Sequence, residues 1–178
     1  MAANRLLARI FGPRTDPHDG VRPLWNAVVA LGRARGWYAR LGVTDSVPGR
    51  FDAITLVLAL VLLRMEHAPG LAPQSALLTE LFVADMDGQL RESGIGDLVV
   101  GKHIGRLMST LGGRLGALRE TLADDTALTA TLARNVTLNA GADAAALTPV
   151  VRALADALAA LTDDHLLAGD IAVPETLA

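Results

Sequence analysis

The sequence predicts an all-α fold, a single-domain bundle of about six helices. Three observations carry that reading. Alanine and leucine dominate a chain with only three Phe, two Trp and one Tyr, a composition that favours helix over strand. Apolar residues recur at steps of three and four along most of the 178 residues. No stretch alternates convincingly, as a half-buried strand would. The length suits one domain with a sizeable core, and no internal repeat is evident.

Residues 1–21 read as a flexible basic N-terminal segment ahead of an all-helical domain over 22–178. "MAANRLLARIFGPR" carries Arg5, Arg9 and Arg14 and no acid, and lacks the apolar core of a secretory signal. Leu6, Leu7, Ile10 and Phe11 would share one side of a short helix, which suits weak membrane-surface contact. A frayed tail is the plainer alternative. "FGPRTDPHDG" (11–20) is a loop. Pro23 then fits the first turn of a helix, with Leu24, Val28, Leu31, Tyr38 and Leu41 at helical spacing.

Glycine, proline and turn formers in "LGVTDSVPGRFD" (41–52) interrupt that pattern. The run Ala53–Leu63 is apolar for eleven residues, well short of the roughly 20 a membrane span needs. With Asp52 and Arg64 at its ends it reads as a fully buried core helix extending to about Glu66. After the loop "HAPGLAP", residues 74–92 form an amphipathic helix, and "SGIG" breaks it. Ile104, Leu107, Met108, Leu111, Leu115, Leu118 and Leu122 define a helix over 98–122. Another spans about 126–138. A last one starts at Thr148 as N-cap with Pro149 at the first helical position, and Gly169 would stop it.

Charge is unevenly spread. Residues 1–50 carry eight arginines against three aspartates, and residues 120–178 carry two arginines against nine acids. A basic front suggests an anionic partner such as lipid headgroups or RNA, though chance segregation of solvated charge would look the same. The absence of cysteine excludes disulfides, thiolate zinc sites and thiol catalysis.

"GIGDLVVGKHIGR" (94–106) imitates a phosphate-binding loop, G-x-x-x-x-G-K. That loop needs a preceding strand and a Ser or Thr after the lysine. Here the preceding segment is helical, His103 follows Lys102, and Asp97 would repel an anion. Asp97 is better read as the N-cap of the following helix. "DMDGQLRE" (85–92) starts like a calcium loop but has Leu90 where glycine is required and Gly96 where glutamate is required. His18, His67, His103 and His165 show no ligand spacing, and no serine sits in G-x-S-x-G. Asp124–Asp125 and Asp163–Asp164 fall at helix junctions, as caps would. No metal, cofactor or catalytic residue is expected, and no DNA partner.

The 98–122 helix instead offers three stripes. At 100° per residue, Gly101, Gly105, Gly112 and Gly116 share a narrow arc. Apolar residues lie on one side of it, and Lys102, His103, Arg106 and Arg114 on the other. Each glycine costs about 1 kcal/mol relative to alanine in a helix interior, so a flat stripe needs a use. Close packing against the 53–63 helix is one; accepting a helix of another protein is the other.

Two segments, "WYARLGVTDSVPGRFDAITLVLALVLLRME" (37–66) and "LTELFVADMDGQLRESGIGDLVVGKHIGRL" (78–107), resemble the ubiquinol-cytochrome c chaperone family, assembly factors of the cytochrome bc1 complex in mitochondria and α-proteobacteria. Tyr38, Leu41, Gly42, Val43, Asp45, Gly49, Arg50, Phe51 and Asp52 match the first family motif. Asp87, Leu90, Arg91, Glu92, Gly94, Gly96, Asp97, Gly101 and Lys102 match the second. Asp85 and His103 depart from it. The likeness weakens beyond residue 107, with "LARNVTL" and "LLAGDI" as its traces.

The resemblance implies an all-helical, non-enzymatic chaperone for newly made cytochrome b. It would work in the cytoplasm, with peripheral contact at the cytoplasmic face of the inner membrane as a variant, and ribosomal RNA or anionic lipid as a second partner. The candidate client-contact residues are Tyr38, Asp45, Arg50, Asp52, Arg91, Glu92, Asp97, Gly101, Lys102, Gly105, Arg106 and Gly112. The charged members could equally form ion pairs that fix loops to the bundle. A helical lipid or isoprenoid carrier is the alternative, and oligomeric state is left open.

Overall fold

The computed structural model describes residues 16–92 and 97–178, with side chains described outside 90–103. Its helices are α1 (Arg22–Gly32), α2 (Arg35–Ala39), α3 (Val47–Glu66), α4 (Ala72–Glu92), α5 (Asp97–Thr121), α6 (Asp125–Asn135), α7 (Thr148–Ala160) and α8 (Asp163–Ala168). Short 3-10 turns occupy Pro17–Gly20, Pro69–Leu71 and Ala144–Ala146.

The organising element is α3. From Ala53 to Leu63 every residue is buried, as expected of a helix that is apolar all round and must be covered on every side. Its covers are α1, α4, α5 and α7. The helix starts earlier than the apolar run alone indicates. Ser46 caps it by accepting from the Gly49 amide at 3.2 Å, and Pro48 sits in its first turn, where its missing N–H costs nothing. Its far end is held by Arg64, whose guanidinium donates to the Leu158 and Leu161 carbonyls and to Asp163 Oδ1 at 2.9 Å.

Three expectations shift. The 24–41 pattern belongs to two helices, because Ala34 turns the chain into an extended conformation. The fold-back is locked by Trp37 Nε1 and Tyr38 Oη, which donate to the Leu31 and Gly32 carbonyls, each at 2.8 Å. The last helix is likewise two. Thr162 caps α8, and Gly169, at φ 76°, ends it. Thr148 does not cap α7; its hydroxyl shares a hydrogen bond with Thr129 at 2.7 Å. Finally, the 126–138 helix stops at Asn135. Residues 137–139 are extended and pair with 42–44 through an isolated antiparallel bridge between Val43 and Leu138 and the bonds Thr44 N–H to Thr137 carbonyl and Asn139 N–H to Gly42 carbonyl.

Order also begins before residue 22. Asp16 caps the Pro17–Gly20 turn, and His18 Nε2 lies 2.9 Å from Glu80 Oε2 on α4. Residues 16–21 are therefore tied to the bundle.

Candidate functional site

The first matched motif builds structure. Gly42 has φ 74°, a left-handed conformation that side chains resist. A Cβ on Gly49 would lie 2.0 Å from the Thr44 carbonyl oxygen, so only glycine lets the loop close on the first turn of α3. Phe51 packs against the Phe82 ring of α4, centroids 6.4 Å apart.

Asp52 is buried, and its Oδ1 meets Arg114 of α5 at 2.9 Å. Its Oδ2 accepts from the Thr137 amide at 2.9 Å and the Thr137 hydroxyl at 2.6 Å. Arg114, 3% exposed, also donates to the Asp52 and Asn135 carbonyls and the Thr55 hydroxyl. One buried ion pair thus knits α3, α5, α6 and the 137–139 segment. Charges can be buried when each is paired and most of its remaining hydrogen-bonding capacity is met; here only Arg114 Nε is left without a partner. Arg114 accordingly leaves the basic stripe to which its helical position had assigned it.

The other residues of this motif sit near the surface. Arg50 and Asp45 form an exposed ion pair at 2.7 Å. Its hydrogen bond holds the Asp45 carboxyl below its ordinary range. Tyr38 is half-buried, and burial raises its phenol. Its hydroxyl is already committed to Gly32.

The second motif falls at the α4–α5 junction. Arg91 and Glu92 end α4, and Asp97, Gly101 and Lys102 lie in the first turns of α5, but their side chains are outside those described, and residues 94–96 of the imitation phosphate loop lie outside the described residues altogether. Beyond the junction the glycines are on view. Gly105, Gly112, Gly113 and Gly116 would each accept a Cβ with nothing within 4 Å, and Arg106 is exposed beside Gly105. Among the described residues, nothing therefore packs against the described part of the stripe. The close glycine contact with α3 is made elsewhere, at Gly32, whose Cβ would lie 2.7 Å from the Ile54 Cα.

The stripe borders an apolar groove that the sequence pattern did not separate from the core. Thr79, Glu80, Val83, Ala84 and Asp87 of α4 and Ile104 and Met108 of α5 line about 430 Å³ open to solvent. Ile104 and Met108 share the apolar stripe of Leu111 and Leu118. Leu111 and Leu118 are buried, whereas Ile104 and Met108 stay partly exposed. Spacing gives a stripe its face but does not give how much of its length finds a partner. Among the described residues no group of three or more His, Asp or Glu could hold a metal, and no helix is long and apolar enough to cross a membrane.

The described residues thus form an all-helical bundle with a polar-edged groove beside a face of small residues. The ubiquinol-cytochrome C chaperone family pattern matches residues 39–173, and the chain belongs to that family. Over 99% of its length it is similar to a solved structure, the Cbp3 homolog from Brucella abortus, at 30% identity and a TM-score of 0.77, covering 98% of that chain. No curated protein matches it.

Proposed function

We propose that this protein is a non-catalytic chaperone that binds newly made cytochrome b during assembly of the ubiquinol-cytochrome c reductase complex. Membership of the chaperone family supports the process. The observation that carries the binding surface is the uncovered face of α5. Its three described glycines, Gly105, Gly112 and Gly116, meet nothing among the described residues, although each weakens the helix by about 1 kcal/mol. Helices of membrane proteins approach each other closely over such faces. A cytochrome b segment laid along α5 would meet Gly105 and Gly112, with the exposed Arg106 available to acidic or phosphate groups.

On this reading the protein works at the cytoplasmic side of the membrane that receives cytochrome b. Tyr38, Asp45 and Arg50 would supply a second contact region, while Asp52 shapes it from inside. As lined by the described residues the groove opens to solvent, whereas a lipid or isoprenoid carrier needs an enclosed apolar cavity. A photo-crosslinking residue at position 106, and in a second variant at position 102, tests the proposal in cells. Capture of cytochrome b is the expected result. Capture of unrelated cytosolic proteins alone would sink it.

A further inference from the structure

We propose that the extended stretch Val136–Leu138 is a docking edge for another chain: a short basic peptide pairs with it as an added strand and lies in the groove beside α6. This surface is separate from the glycine face of α5, and it holds whatever that face binds.

Backbone hydrogen bonding supplies the edge. Val43 and Leu138 face each other in the antiparallel bridge. The bonds that close it run instead from the Thr44 N–H to the Thr137 carbonyl and from the Asn139 N–H to the Gly42 carbonyl. In that arrangement the two facing residues turn their own N–H and C=O groups away from each other. Val43 uses its N–H inward, on the Trp37 carbonyl at 3.0 Å. Leu138 uses neither group: among the described residues its N–H and C=O have no hydrogen-bond partner. Val136, two residues earlier and also extended at φ −121° and ψ 129°, has a carbonyl that is likewise unpartnered among the described residues. A row of unpaired backbone groups is the template for strand addition.

Space and charge define the occupant. Leu138 is one wall of a groove of about 640 Å³ that opens to solvent. Thr126, Ala130 and Ala133 of α6 form its floor, and Ala142 and Asp143 its far side. Alanine side chains let another backbone come close. From Thr126 to Ala133 the floor runs about 10 Å, the length of about three residues of extended chain. A docked helix would leave the Leu138 groups unmet, because its own backbone is satisfied internally; an extended peptide meets them. Asp143 is the one charged residue lining the groove. Its Oδ1 accepts from the Ala145 amide at 2.9 Å, and no basic group among the described residues pairs with it. It belongs to the stretch 120–178, with two arginines against nine acids. A basic residue in the peptide is therefore favoured over an acidic one.

The probe is a synthetic peptide, Arg-Val-Ala-Val-Ala-Arg, blocked at both ends and titrated into the full-length protein with backbone amide NMR as the readout. Saturable shifts at Leu138 and Ala133 are expected, and the Leu138 amide should exchange with solvent at least about tenfold more slowly in the complex. The same peptide methylated on its interior backbone nitrogens cannot donate, and is expected to bind at least about tenfold more weakly. In the protein, Leu138→Pro deletes the outward N–H, which no internal bond uses, while Leu138→Ala trims the side chain and keeps the N–H. The proline variant should bind at least about tenfold more weakly than the alanine variant. Should the proline variant unfold, the methylated peptide decides alone. Equal binding by the plain and methylated peptides would overturn the proposal, as would equal binding by two folded Leu138 variants. No saturable shift up to about 1 mM peptide would also overturn it. Glutamates in place of the two arginines should weaken binding; an equally tight acidic peptide would refute the basic partner.

Discussion

Asp52 and Arg114 show why the charge of a residue says little until its partner is known. Each alone, at its level of burial, would cost several kcal/mol of desolvation. Together, with Thr137 and the Asp52 and Asn135 carbonyls, they meet the needs of the Asp52 carboxylate and both terminal nitrogens of Arg114, leaving only Arg114 Nε without a partner. Asp52→Ala or Arg114→Met is therefore expected to destabilise the fold by about 3–5 kcal/mol, the loss typical of orphaning one buried charge. Denaturant titration reads the loss. The double variant should lose much less than the sum, since it leaves no orphan. His18 behaves differently, at the surface. Its hydrogen bonds to Asp16 and Glu80 raise its pKa above the ordinary 6.5. Protonation is thus favoured more in the folded than in the unfolded chain. Its stabilisation is fully present below about pH 6.5 and fades as pH climbs through the raised value. The melting-temperature gap between the native chain and His18→Gln should shrink as pH rises from about 5.5 to about 8.5. A gap that is constant with pH would refute the ion pairs.

Glycines behave oppositely in two of the helices. Gly49→Ala pushes a methyl against the Thr44 carbonyl oxygen at 2.0 Å. Backbone must shift there, and the cost is expected to be about 2 kcal/mol or more. Gly112→Ala meets open space and gains up to about 1 kcal/mol from helix propensity. Thermal unfolding of the two variants should move in opposite directions. The sequence could not separate these cases, because a helical wheel assigns direction but not neighbours. The same limit explains the fate of the elements. Helices α3, α4 and α5 were legible because their apolar patterns are long and periodic. The break at Ala34 was hidden, since Tyr38 and Leu41 kept the spacing while the chain folded back. The junction between α7 and α8 depends on Arg64, about a hundred residues away in sequence. The extended stretch at 137–139 is made by pairing with 42–44, which no local pattern announces.

At the scale of the molecule, the candidate site divides into a part that holds the fold and a part that is left uncovered. Asp52, Gly42 and Gly49 are tied up in closing the first motif, so the family motif there is legible as structure. Gly105, Arg106 and Gly112 are presented outward, and their use depends on a second molecule, which a single chain cannot display. Gly105→Leu with Gly112→Leu should leave the protein as stable as before or more so, yet abolish co-purification of the client by blocking its close approach. Unfolding would show the stripe to be internal after all, and unchanged capture would move the binding surface elsewhere.

The ties around α3 also set a tempo. Asp52 reaches to Arg114 and Thr137, Arg64 to Leu161, and Gly36 to Leu177. Helical proteins usually fold fast because their contacts are local. Here the apolar helix is made early in synthesis, while two of its covers, α5 and α7, follow long after it. Refolding is expected to be slow for an all-α chain, with α3 exposed and sticky in the interval. A chaperone built this way passes through a period in which it presents the same kind of greasy helix it is proposed to protect.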